Sequence, residues 1–370
     1  MENSPEHLDL NPQLCRSRQQ RLVSAMQQLD LDSALLQQPE NVQWLTGFRP
    51  HRLMGAAVFL TADRHCTLSA PNAQPDNVAA DEITTFESQW CCTLRQEQSQ
   101  AALEALLAST GSLSGRIGIE VSTAPAHAGL PADRTRDVEP LLWRLRRRKD
   151  SDEMALMRRA IECTAAMYQT ARDIIEPGIT ELEVFNRLHD AAVTVAGEPL
   201  THPLGNDYQC GSPGGPPRDR PAAAGELFVL DLGPSYRGYY ADNCRTICVG
   251  GSPTDEQQQA WEAIVGVLTL VEETVKPGTR CANLYRQAKE TLDAVRPDAF
   301  FHHLGHGVGL FPHEAPHLNP NWDDSFEEGD VFTAEPGLYW PELKAGIRLE
   351  QNYQVTSGGV ELLTPFPLEL

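Results

Sequence analysis

The stretch GELFVLDLGPSY, residues 225–236, returns 104 residues later as GDVFTAEPGLY, residues 329–339. Both runs open on glycine, continue as an apolar strand and set an acidic residue just before a Pro/Gly turn. Asp231 and Glu335 thereby become repeat partners. A second repeat lies upstream of each run. EPGITELEVFNRLHDA begins at Glu176 and KPGTRCANLYRQAKET begins at Lys276, each a Pro-Gly turn opening an amphipathic helix. Each half therefore reads as helix, helix, strand pair. Asp242 and Glu350 form the second matched pair, so a duplicated half-domain donates two carboxylates from each copy. The two copies are expected to meet at a pseudo-twofold axis, because a repeat unit buries its apolar face against its neighbour.

The chemistry follows from those four carboxylates. Asp231 lies in the alternating run Leu227, Val229, Asp231, Gly233, and a carboxylate on the inward side of an apolar strand is costly unless paired or metal-bound. Asp242 follows a GYY turn, as expected for a hairpin with carboxylates on both strands. Glu335 precedes Pro-Gly, and Glu350 ends the strand-like run GIRL. Five of the eleven histidines fall in HHLGHGVGLFPHEAPH, residues 302–317. Gly305, Gly307 and Gly309 let the backbone approach closely around His306, which is the imidazole expected to bind metal. His313 is placed as a proton shuttle or oxyanion donor, and His302 as a substrate contact. His303 and His317 read as packing or capping residues. Four carboxylates and one imidazole carry more negative charge than one dication needs. Two divalent ions about 3.5–4 Å apart, sharing carboxylates and a water, balance it. Oxygen-rich ligation with one imidazole favours manganese, cobalt, zinc or iron.

Composition narrows the partners. The 370 residues include 30 basic and 51 acidic side chains, a net charge of −21, which argues against nucleic acid or an anionic membrane as partner. Nine cysteines without a CxxC pair read as reduced thiols of a cytoplasmic protein, and the vicinal Cys91–Cys92 reads as core packing. MENSPEHLDLNPQ at the N-terminus has no apolar core of the signal-peptide type. Residues 13–30 and 97–109 have helical spacing, and SALLQ, AAVFL, CTLSA and RIGIEV read as strands, which makes the N-terminal domain α/β. From Val138 to Ile175 the chain reads as helical. Its basic cluster, Arg144 to Lys149, reads as a solvated, charged connecting helix. The domain boundary is expected near Asp150, giving domains 1–150 and 151–370.

These motifs, DLG…GYYADNCRT, HHLGHGVGL…HEAP, AEPGLY and GIRLEQ, together resemble the pita-bread metallopeptidases, in the aminopeptidase P, Xaa-Pro dipeptidase (prolidase) and creatinase-like branch. RQQRLVSAM…ENVQWLTGF resembles the creatinase-type N-terminal domain, so the likeness spans nearly the whole chain. It implies a creatinase-like α/β domain followed by an α+β pita-bread domain. It also implies a ligand set of Asp231, Asp242, His306, Glu335 and Glu350 for two divalent ions, manganese first among them. Asp242 and Glu350 would bridge the ions, and Glu335 would exchange protons with the bridging water. His313 would stabilise the tetrahedral intermediate, His302 would line the substrate side, and Arg348 would orient a neighbouring group. The implied activity is Xaa-Pro exopeptidase, acting as a cytoplasmic homodimer on small peptides with proline second. Two departures stand out. Seventeen residues before the first aspartate ligand the family carries histidine after proline, and this chain has Gly214 after Pro213. His202 and Arg218 are the candidates to fill that role. Cys244 stands where threonine is usual. Gly214 keeps open a divergent hydrolase or lyase for a small non-peptide substrate, or a weakly active or non-catalytic relative.

Overall fold

The computed structural model describes residues 8–89, 94, 97–111, 113–124, 129–204 and 207–370. The Cys91–Cys92 pair lies outside them. The chain forms two compact units, Leu8–Arg146 and Arg147–Leu370, against a boundary expected near Asp150.

The N-terminal unit runs α1 (Pro12–Gln28), β1 (Ser33–Leu36), α2 (Pro39–Thr46), β2 (Ala57–Thr61), β3 (Cys66–Pro71), β4 (Glu82–Phe86), α3 (Gln98–Thr110), β5 (Ile117–Ile119), β6 (Thr135–Asp137) and α4 (Glu139–Arg147). Its six strands form one sheet in the order β4-β3-β2-β1-β5-β6. The pairs β3–β4, β1–β5 and β5–β6 are parallel, and β1–β2 and β2–β3 are antiparallel. Leu35, Ala57, Phe59 and Ile117 from the sheet bury against Ala102, Leu103 and Leu106 of α3. Asn11 caps α1 by accepting from the Gln13 amide at 2.8 Å, which satisfies one of the free N–H groups of the first turn.

The C-terminal unit shows the two halves. In the first, α5 (Ser151–Ile174) and α6 (Glu181–Ala196) precede β7 (Tyr208–Cys210), β8 (Leu227–Leu232), the hairpin β9 (Ser235–Tyr236) and β10 (Tyr239–Tyr240), and β11 (Asn243–Cys248). In the second, α7 (Asp255–Thr274) and α8 (Cys281–Asp293) precede β12 (Gly305–Gly307), β13 (Glu314–Leu318), β14 (Val331–Ala334), the pair β15 (Gly337–Leu338) and β16 (Ile347–Arg348), β17 (Gln351–Val355) and β18 (Val360–Leu362). The strands form a three-stranded sheet, β11-β8-β7, and a five-stranded sheet, β13-β12-β14-β17-β18. Each half thus carries more than the strand pair its repeat announced. One apolar core joins them. Leu227 and Val229 of β8, Ile264, Val267 and Val271 of α7, Leu284 and Leu292 of α8, and Phe332 and Tyr353 of the larger sheet are all buried in it. Among the described residues, no helix is long and apolar enough to cross a membrane.

The helical segment from Val138 breaks in two, and its basic cluster is corrected by the structure. Asp150 caps α5 in a reciprocal capping box with Glu153, which restarts the helix after residues 148–150. Arg146, Arg147 and Lys149 are buried rather than solvated. Arg147 makes a two-pronged pair with Asp330, at 2.9 and 2.6 Å. Lys149 Nζ lies 3.3 Å from Glu314 Oε2. Removing one partner of a buried pair strands the other charge, at a cost of about 3–5 kcal/mol. Arg147→Ala is therefore expected to lower the urea midpoint by that equivalent. A shift under about 1 kcal/mol, the worth of an exposed pair, would contradict the burial.

Candidate metal centre

Five elements bring the ligand candidates together. Asp231 sits near the end of β8, Asp242 just before β11, His306 within β12, Glu335 just after β14 and Glu350 just before β17. The strand frame holds them tightly. Cys244, buried in the core, stands directly opposite Asp231 in the β11–β8 register. Its carbonyl accepts from the Glu350 amide at 2.9 Å, and the Glu335 amide donates to the Leu304 carbonyl at 2.7 Å. Asn243 Nδ2 donates to the Glu350 carbonyl at 2.6 Å. The glycines flanking His306 are required by close backbone approach. A Cβ at Gly305 would lie 2.0 Å from the Thr333 carbonyl oxygen, and one at Gly307 2.0 Å from that of Ala315.

The ligand atoms fall into three overlapping groups, each within 4.8 Å: Asp231, Asp242 and Glu350; His306, Glu335 and Glu350; and Asp242, His306 and His313. Asp242 and Glu350 each belong to two of them. His306 Nδ1 donates to the Gly307 carbonyl at 2.9 Å. Its Nε2 lone pair therefore faces the carboxylates, 3.5 Å from Glu335 Oε1 and 3.8 Å from Asp242 Oδ2. This is the tautomer a metal-binding imidazole needs.

The electrostatics of the cluster call for cations. Burial, reinforced by Asp231 and Glu335, pushes the Asp242 carboxyl well above the ordinary range. Burial, with Asp242 and Glu335 beside it, does the same to Glu350. Glu335 is also raised, chiefly by burial. Burial holds His306 down at about 4, so it stays a neutral ligand. Glu350 Oε1 is buried with no hydrogen-bond partner. A buried oxygen of this kind is expensive to leave unpaired, and two divalent ions would satisfy it along with the surplus negative charge. The donor set fits.

Around the cluster lie the auxiliary residues. The exposed His313 stacks on His306, with ring centroids 3.7 Å apart. Arg348 Nη2 reaches Asp231 Oδ2 at 2.7 Å and Nη1 reaches the Tyr339 hydroxyl at 3.2 Å. His302 has both ring nitrogens engaged. Nδ1 donates to the His303 carbonyl at 2.8 Å, and Nε2 accepts from the Tyr339 hydroxyl at 3.0 Å. His303 packs, but beside the cluster: its ring centroid lies 5.5 Å from those of both His306 and His313, and its Nδ1 is 3.2 Å from Glu335 Oε1. His317 does pack, stacked on Trp322 and joined through Nδ1 to Asp324 at 2.9 Å.

Gly214 is a place where a side chain does not fit. A Cβ there would lie 2.4 Å from Asp207 Oδ2. A histidine at this position would have to displace Asp207, which pairs closely with Arg348. His202 is engaged with Ser235 Oγ through its amide and Nδ1, and Arg218 with Glu181 at 2.6 and 2.9 Å. Asp207 and Tyr339 are the neighbours that sequence reasoning missed, and only Tyr339, within AEPGLY, carried a signal that could have found it.

Known proteins resemble the chain along nearly its full length. The family description "Creatinase/Prolidase N-terminal domain" matches residues 18–147. An uncharacterized peptidase of Staphylococcus haemolyticus is 27% identical over 362 residues, covering 95% of this chain and 99% of that one. The prolidase from Pyrococcus horikoshii has the same fold, with a TM-score of 0.81 at 25% identity, covering 96% of this chain and 99% of its own. The Xaa-Pro dipeptidase from Bacillus anthracis shares the fold with a TM-score of 0.81 at 22% identity, covering 96% and 99%. The description "Metallopeptidase family M24" matches residues 155–357, a span that contains every member of the carboxylate–histidine cluster, and the chain belongs to that family of metallopeptidases.

Proposed function

We propose that this metallopeptidase is a dimetal exopeptidase of the aminopeptidase P or prolidase type, cleaving the bond before proline. The observation that carries the reading is the pair of ligand groups Asp231, Asp242, Glu350 and His306, Glu335, Glu350, which share Glu350. The Pyrococcus horikoshii prolidase of the same fold supports the choice of substrate. Asp231, Asp242, His306, Glu335 and Glu350 would hold two divalent ions, manganese first, since oxygen-rich sites with one imidazole suit it. When bound, the ions supply an activated water and polarise the scissile carbonyl.

The chain's own residues then divide the work. Glu335 accepts the proton of the attacking water and returns it to the leaving prolyl nitrogen, as a positioned general acid–base. His303 Nδ1 lies 3.2 Å from Glu335 Oε1 without hydrogen-bonding it, and lines that side of the carboxylate. His313, exposed at the rim, donates a hydrogen bond to the carbonyl oxygen as negative charge develops there. Arg348 orients Asp231, and His302 fixes the Tyr339 hydroxyl that accepts from Arg348.

Gly214 favours a second reading. With no side chain reaching the substrate from that position, the same centre suits a hydrolase or lyase for a small non-proline or non-peptide substrate. Manganese-loaded protein assayed on Xaa-Pro dipeptides, longer Xaa-Pro peptides and matched Xaa-Ala controls separates the two. Faster turnover of at least one Xaa-Pro class over its control is expected. Equal or faster cleavage of the Xaa-Ala controls would discard the proline reading. The proposal includes a reducing, cytoplasmic setting, which the seven free cysteines among the described residues support. It also includes a homodimer, which light scattering tests; a concentration-independent monomer mass would contradict it.

A further inference from the structure

Asp207 precedes β7 and touches the candidate metal centre from outside its ligand set. Its side chain forms a close ion pair with Arg348 Nη2, the same nitrogen that reaches Asp231 Oδ2 at 2.7 Å. Its backbone carbonyl accepts from the Asp231 amide at 2.9 Å. Its Oδ1 accepts from the Gly215 amide at 2.6 Å. The carboxylate thus occupies the space that a side chain at Gly214 would need. Arg348 is largely buried, with its side chain 10% exposed, and Asp231 is 15% exposed, so little solvent screens these charges.

The charge arithmetic gives Asp207 a role. Asp231, Asp242, Glu335 and Glu350 together match two dications. A lone arginine on Asp231 would cancel one of those four charges and compete with a metal for that carboxylate. Asp207 supplies the compensating negative charge on the arginine's far side. We infer that Asp207 is a positioning residue for the metal centre: by sharing Arg348 with Asp231, it leaves the Asp231 carboxylate free to bind a divalent ion while Arg348 still fixes its orientation. The inference rests on the dimetal reading and deepens it. It also accounts for Gly214, since only a residue without a Cβ leaves room for the Asp207 carboxylate.

Manganese titration of the metal-free full chain by calorimetry tests this, with thermal unfolding of each variant in parallel. Asp207→Asn preserves the shape and removes the charge. It is expected to weaken manganese binding about 10–100-fold, the range for loss of an outer partner of a metal ligand. The double variant Asp207→Asn/Arg348→Gln removes both charges and is expected to bind manganese more tightly than Asp207→Asn alone, short of wild type because the Arg348 bond that orients Asp231 is gone too. A role limited to anchoring the Gly214–Gly215 loop would lower the melting temperature and show no recovery in the double variant, which would overturn the inference. Unchanged manganese affinity in Asp207→Asn, with wild type binding normally, would overturn it too. Absence of manganese binding by wild type would overturn the dimetal reading itself, and this inference with it.

Discussion

Alanine at Asp242 or Glu350 is expected to strip the protein of bound divalent metal and abolish peptide hydrolysis. Glu350 belongs to both groups built only from the five proposed ligands, and Asp242, grouped with Asp231 and Glu350, also lies 3.8 Å from His306 Nε2, so the loss of either reaches both ion positions. The loss in affinity should far exceed the about 10–100-fold typical of an outer-shell change. Elemental analysis after manganese loading and desalting checks this, and two ions retained in either variant would contradict it. The pH dependence has a definite sign. Burial and neighbouring carboxylates raise Asp242 and Glu350 well above the ordinary range. A carboxyl raised on folding favours the fold below its unfolded value, and that contribution is lost as pH rises through the folded value. Protons and divalent ions therefore compete for the same oxygens. His306, held at about 4, stays neutral above that pH. The melting temperature gained on metal loading should widen as pH rises through the raised carboxyl values. At a free-ion concentration of about 100 times Kd the gain corresponds to about 2.7 kcal/mol. A gain that shrinks with rising pH would contradict the competition.

His313→Ala is expected to lower kcat about 100–1000-fold, as removal of one oxyanion donor does, while both metals stay bound. The geometry separates His313 from the ligand framework. His306 is oriented by its own bond to the Gly307 carbonyl, not by the ring stacked on it. His313 is exposed, whereas His306, Glu335 and Glu350 are buried. Yet His313 shares a ligand-sized group with Asp242 and His306, so metal content must be measured beside turnover. Loss of an ion together with activity would make His313 a ligand rather than a transition-state donor.

Repetition made much of this centre readable. The offset between GELFVLDLGPSY and GDVFTAEPGLY pairs Asp231 with Glu335, and the structure sets both at strand ends beside Asp242, His306 and Glu350. Periodicity served the helices equally well, since α6 and α8 follow the two Pro-Gly turns. What escaped the sequence was long-range pairing. Arg147 meets Asp330 across 183 residues and Lys149 meets Glu314 across 165, and no local pattern reveals a partner so distant. That His303 packs beside Glu335 could not be read, because adjacent histidines in irregular chain carry no alternation to say which ring faces inward. Asp207 lay outside every periodic run. Gly214 read as a missing histidine, whereas the structure shows its position taken by the Asp207 carboxylate.

Metal stoichiometry of the wild-type chain tests the dimetal proposal most directly. Four clustered carboxylates and one neutral imidazole call for two ions per chain. Metal-free protein titrated with manganese and read by elemental analysis after desalting should saturate at two. Saturation at one ion, or none, would contradict the dimetal centre.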